Sequence, residues 1–160
     1  MSVLGAAVGG LVGTFVLTTV LRGASELRLT RLDLPFLLGT ALTADRNRAK
    51  AIGYLLHFVA GLLFSLAYAI GFAALGRSGW LLGGAFGLLH GLFAGSALVN
   101  ILLPVVHPRM GTPTSSIVSS ALLEPPGFMM LNYGRSTPIV SLVAHVAYGA
   151  IVGAFAAAGG

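Results

Sequence analysis

The residues best suited to chemistry are histidines set inside long apolar runs. His57 opens the stretch His57-Phe-Val-Ala-Gly61-Leu-Leu-Phe-Ser65, and His145 opens His145-Val-Ala-Tyr-Gly149-Ala-Ile-Val-Gly153, 88 residues later. His90 and Asn100 lie in a third run. An imidazole can ligate a metal ion, serve as an axial ligand to haem, or change charge near neutral pH. At membrane depth such groups are costly and face the bundle interior. An acid precedes each of the two motifs in a shared pattern, Leu32-Asp33-Leu34-Pro35 and Leu123-Glu124-Pro125-Pro126. His57 and His145 are therefore the candidate metal ligands, with Asp33 and Glu124 as candidate carboxylate partners. A haem or a transition metal is the cofactor such a set would take. No His-x-x-His or Glu-x-x-His spacing occurs, so no particular metal is singled out. A second reading makes His57, His90, His145 and Asn100 a polar pathway for protons or a small solute. The plain alternative is that each histidine gives one hydrogen bond to a neighbouring helix, worth about 0.6 kcal/mol on average.

These residues need elements to hold them, and the composition says which solvent those elements meet. The 160 residues are 56% hydrophobic and 8% charged, against about 25% charged in soluble domains. Lipid must cover much of such a chain. Four runs, residues 3–21, 52–75, 80–106 and 139–158, lack Lys, Arg, Asp and Glu. Each can cross about 30 Å of hydrocarbon, which takes roughly 20 helical residues. Backbone groups find no water there, so each run is predicted to be helical. The period-two alternation of a membrane strand is absent. The expected fold is all-α, a polytopic membrane protein of four transmembrane helices in one membrane domain, 1–160.

Charge sets the expected orientation. The connection between the first two spans carries Arg22, Arg28, Arg31, Arg46, Arg48 and Lys50, and that between the last two carries Arg109 and Arg135. The turn Gly76-Arg77-Ser78-Gly79 holds one basic residue. The excess predicts cytoplasmic long connections and both termini extracytoplasmic. Met1-Ser2 offers no positive region before the first run, so an inserted helix is expected in place of a cleaved signal. Thr137-Pro138 is predicted to cap the fourth span and Asp45 to cap a helix entering the second. His57 then lies about 8 Å inside its span, His145 about 10 Å and His90 about 15 Å. The apolar pieces after Asp33 and Glu124 are too short to cross and are expected as short interfacial helices on the cytoplasmic side.

Small residues recur at every fourth position. Gly5, Gly9 and Gly13 mark the first span, and Gly83, Gly87, Gly91 and Gly95 the third. Gly61 follows His57, and Gly149 and Gly153 follow His145, in the same register. Such ladders let helices approach closely and gain contact that lipid does not offer. The chain is read as two repeated helical hairpins, 1–75 and 80–158, entering the membrane in the same direction. The ladders also suit a second copy of the chain or a larger membrane complex.

Several chemistries find no support. There are no cysteines, hence no disulfide, thiolate site or thiol catalysis. No phosphate-binding loop or Gly-x-Ser-x-Gly elbow occurs, and an enzyme is not the expected reading. The net charge of +5 sits in connections, as topology signals and headgroup contacts do, and is not a nucleic-acid footprint. The stretches Leu32-Asp33-Leu34-Pro35-Phe36-Leu37-Leu38-Gly39-Thr40, Leu56-His57-Phe58-Val59-Ala60-Gly61 and Ala144-His145-Val146-Ala147-Tyr148-Gly149 resemble a group of small, uncharacterised bacterial inner-membrane proteins. That resemblance implies a four-helix inner-membrane protein and no activity. The functional expectation is a non-catalytic membrane protein with a buried His/carboxylate site in its cytoplasmic half, able to take a metal or haem. Its alternatives are a small homo-oligomeric channel or transporter, and an accessory subunit of a larger complex.

Overall fold

In the computed structural model, residues 1–110 and 123–159 are described. Helix α1 spans Val3–Glu26, α2 Leu34–Gly39 and α3 Arg46–Ala74. Helix α4, Trp80–Phe93, runs on through a π-helical segment, Ala94–Leu102, into α5, Leu103–Val106. A 3₁₀ segment, Phe128–Tyr133, precedes α6, Thr137–Ala158. The described residues form no strand, only one isolated bridge between Met110 and Leu123. Four helical stretches are long and apolar enough to cross a membrane: α1, α3, the continuous stretch Trp80–Val106, and α6. Their outer faces carry exposed Leu4, Leu63, Ile70, Leu89 and Val105, as surfaces suited to lipid would.

The ends of the helices are fixed by polar side chains. Ser2 accepts from the Gly5 N–H at 2.9 Å and caps α1. Asp45 accepts from Arg48 N–H at 2.8 Å and caps α3, as predicted. Asp33 accepts from Phe36 N–H at 3.0 Å and caps α2, with Pro35 in its first turn. The expected Thr137 cap is corrected. Ser136 occupies the cap position and makes no side-chain cap bond. The Thr137 hydroxyl instead pairs with that of Thr30 at 2.7 Å, buried between the two long connections.

Helix α6 is the centre of the arrangement, with α1 on one side and α4 on the other, and α3 packs on α1 while reaching α6 and α4 through side chains. Both glycine ladders face α6. A Cβ on Gly83 would strike the Gly149 carbonyl, one on Gly87 the His145 carbonyl, and one on Gly153 the Gly79 carbonyl. On the other flank, Gly5 and Gly9 lie under Phe155 and Val152, and Gly13 under Tyr148. Helices α1 and α3 meet where Gly10 faces Ser65 and Gly61 faces Thr14. Helices α3 and α4 are held apart by rings. Phe72 stacks on Phe86 at 5.1 Å and 10°, and Tyr68 meets Phe86 edge-on at 5.4 Å. Helix α1 thus packs closely on both α3 and α6, while α4 packs closely on α6 alone.

The two long connections interlock at one end. Arg31 N–H donates to the Tyr133 carbonyl at 2.7 Å, and its guanidinium pairs with Glu124 at 3.2 Å. His107 ties the end of α5 to α2. Its Nδ1 accepts from Arg109 N–H at 3.2 Å, so Nε2 carries the proton and donates to the Leu37 carbonyl at 3.0 Å. The acidic elements differ from each other. The first is the short helix α2, seated on the first turns of α3, where Gly53 lies under the Pro35 carbonyl. The second, expected as a similar helix, is a 3₁₀ segment broken by positive φ at Met129 (52°) and Met130 (60°).

Two outcomes follow from this packing. Gly149→Val should lower stability by about 1–3 kcal/mol, the usual cost of overpacking, whereas Gly23→Ala, where an added Cβ meets nothing within 4 Å, should leave it unchanged or raise it. Unfolding in detergent by titration with dodecyl sulfate measures both. The second concerns Tyr133, whose hydroxyl donates to the Glu124 carbonyl at 2.8 Å. Burial, aided by the Glu124 carboxylate, pushes its phenol up from 10.0 to about 12. The fold therefore favours the neutral phenol. That stabilisation is complete below pH 10.0 and is lost as pH rises to about 12. Thermal melts across this range should show a smaller loss in Tyr133→Phe than in the parent.

Candidate functional site

The candidate site is built by three helices. Helix α3 supplies His57, α4 supplies His90 and α6 supplies His145, and all three line one cavity of about 100 Å³. The rest of its wall is mostly apolar, including Leu17, Leu21, Phe64, Val99 and Met130, with Thr14, Ser141 and Tyr148 as further polar groups. Close glycine packing explains the placement of His145. Gly87 and Gly91 let α4 lie directly against its backbone and Cβ, which brings His90, one turn along, within 4.8 Å of the His145 ring, edge to face.

Each histidine has a different environment. His145 is buried, and its Nδ1–H donates to the Ser141 carbonyl at 2.7 Å. That bond fixes the tautomer and leaves the Nε2 lone pair free. His90 lies over Phe64, ring centroids 3.8 Å apart, and its Nδ1 pairs with the Tyr68 hydroxyl at 3.3 Å. Tyr148 closes the cluster. Its ring contacts Tyr68 at 5.7 Å and His90 at 5.9 Å, and its hydroxyl donates to the Gly61 carbonyl across the bundle. His57 is 7% exposed. Among the described residues, its Nε2 is the only buried side-chain nitrogen or oxygen with no hydrogen-bond partner.

The other candidate residues sit elsewhere. Asn100 bonds back to its own helix, donating to the Gly95 and Ser96 carbonyls at 3.0 and 2.9 Å. It serves the π-helical segment, where the backbone leaves carbonyls to be satisfied. Glu124 pairs with Arg31 and does not line the histidine cavity. Asp33 caps α2 and faces Lys50 at 3.9 Å, yet it lines a second, smaller cavity together with His57. Gly95 packs against the Met129 sulfur. Tyr148, Phe64 and the π segment belong to the site's wall, Tyr68 holds His90 from behind it, and none was among the sequence candidates. The spacing of His57, Gly61, Ser65 and Tyr68, by four, four and three along one face of α3, was a usable signal for Tyr68; nothing in the sequence pointed to Phe64.

The cavity limits what can bind. Among the described residues no three His, Asp or Glu side chains are grouped so as to hold a metal ion. A volume of about 100 Å³ is well below the roughly 300–1,000 Å³ of sites for drug-sized ligands and cofactors, so a haem does not fit between these rings. Water-sized groups do fit, since one water needs only about 10–15 Å³ of such space. A few water-sized molecules therefore fit by volume, and the ring nitrogens with Thr14, Ser141 and Tyr148 are the polar groups on the wall that could meet them. Compared with family models, with curated proteins and with solved structures, the chain matches none, and the likeness in short motifs to small inner-membrane proteins gains no support beyond those motifs.

Proposed function

We propose that this chain is a multi-pass protein of the bacterial inner membrane whose function lies in its buried histidine site, and that the site holds and passes protons together with a few waters. The long connections face the cytoplasm and both termini lie outside, supported by eight basic residues against one. The observation that carries the reading is His57 Nε2, buried and without a partner on the wall of a cavity shared with His90 and His145. A purely structural histidine satisfies its polar atoms, because leaving one buried and unpaired costs about 1–3 kcal/mol. His145 gives its one N–H to the Ser141 carbonyl, whereas the buried Nε2 of His57 has no hydrogen-bond partner. An imidazole that must accept or release a proton needs a free nitrogen facing exchangeable partners, and this is what the cavity offers. The smallness of the cavity and the lack of a three-ligand group favour this reading over a metal or haem site.

Assembly with further copies or with a larger complex is compatible with this function. The test is proton flux. Purified protein in vesicles loaded with a pH-sensitive dye, under a potassium diffusion potential, should dissipate an imposed gradient faster than protein-free vesicles. His57→Gln should return the rate to that of protein-free vesicles, with an unchanged melting profile in detergent. A parent rate equal to that of empty vesicles would falsify the proposal.

A further inference from the structure

We propose that the histidine cavity is supplied with water from the end of the bundle where the long connections meet, along a route that starts at Asp33 and is gated by His57. This rests on the proton-handling reading above and names the side from which that site is served.

Three cavities lie in a row. The first, of about 200 Å³, is lined by Arg31, Asp33, Glu124 and Tyr133 between the two connections. The second, of about 30 Å³, is lined by Arg22, Ser25, Asp33, Tyr54 and His57. The third is the histidine cavity of about 100 Å³. Asp33 belongs to the first and the second, and Leu32 to all three. His57, Leu21 and Leu34 belong to the second and the third. The residues shared at the partitions carry side chains that can change rotamer.

The polarity of the middle cavity identifies its occupant. A void lined by guanidinium, hydroxyl, carboxylate and imidazole groups holds water, whereas an apolar void of that size stays dry. A space of about 30 Å³ accommodates one or two molecules at roughly 10–15 Å³ each. Asp33 sits at its outer end with 40% of its side chain exposed. His57 sits at its inner end, 7% exposed, with Nε2 unpartnered. The groove on the outer face between α1 and α3 also borders this cavity, through Thr18, Arg22 and Tyr54. Phe15 and Phe58 line the part of that groove farther along the helices, and Arg22 and Glu26 the part next to the first long connection, so its polar end also opens on the connection side.

The chain has no cysteine, so single cysteines report access cleanly. Silver ion, small enough for a water-filled passage, is added to one side of sealed membrane vesicles. Thiols left unreacted are then counted with a maleimide in dodecyl sulfate. Arg48→Cys, in the basic start of α3, marks the connection side. Leu21→Cys and Leu34→Cys, on the partition between the middle and histidine cavities, should react from that same side. Their rates should be roughly ten-fold or more above that of Ala6→Cys, a fully buried position bordering none of these cavities, because a thiol ionises and reacts only where water reaches it. Two partition sites guard against one variant failing to fold. Reaction at the rate of Ala6→Cys, or from the opposite side only, overturns the route. The readout is water access and not flux, so failure of the proton reading would leave this result standing, and failure here would leave that reading intact.

Discussion

The backbone contact of α6 with both of its neighbours is the constraint on which the rest of the structure depends. In lipid, apolar side chains gain little by meeting one another, because acyl chains serve equally well. Helices must gain by fitting closely. Gly149 and Gly153 lie against Gly83 and Gly87, and Gly5, Gly9 and Gly13 accept the other flank of the same helix. Nothing larger than hydrogen is tolerated along these seams. Terminal bonds complete the fit: Ser2 N–H donates to the Ala156 carbonyl at 2.9 Å, tying the start of α1 to the end of α6.

One consequence is the cavity itself. Both ladders are used on α6, so none is left to draw α4 onto α3. That seam is closed by Phe64, Tyr68, Phe72 and Phe86, whose bulk holds the two helices apart. Rings fill the half of the seam near the short turn. Toward the long connections the filling runs out, and the histidines stand around the space that is left. The π-helical segment lies on the same wall through Ala94, Leu98 and Val99. Below it Met129 and Met130 hold left-handed backbone, a conformation that costs non-glycine residues about 1–2 kcal/mol each. Irregular backbone therefore concentrates beside the site, as it does where function competes with packing.

The sequence made the spans legible because hydrocarbon thickness imposes a length and forbids charge, and both can be read from composition. Asp45 was legible as a cap because an acid stood just before a helix start. Asp33 was legible as an acid at the correct end of the bundle, but not as the cap of α2, because its pattern also suits a ligand. Thr137 failed as a cap because its tertiary partner, Thr30, is 107 residues away. Helix orientation was the hardest part. A soluble helix shows its buried face by apolar periodicity, and here core and lipid are equally apolar, so only small and polar residues carry that information. His57 and His145 announced themselves in this way. His90 carried the same signal but no hint of its contact with His145, which depends on how closely Gly87 and Gly91 let α4 approach α6.

The polar side chains of the helices and connections separate by what satisfies them. Thr14, Thr18, Thr19, Ser65, Ser96 and Asn100 bond to carbonyls of their own helices three to five residues back. These bonds cancel the cost of placing a hydroxyl or amide among apolar groups and join nothing together. Thr30, Thr137, His107 and Tyr148 bond between elements and fix how those elements meet. His57 belongs to neither class, since its free nitrogen is matched by no carbonyl within its helix or across from it. Its position is not forced by close packing either, as the cavity leaves space beside it. An imidazole kept in that state among so many satisfied neighbours costs stability and supplies no contact in return. The exchange with water proposed above would supply that compensation.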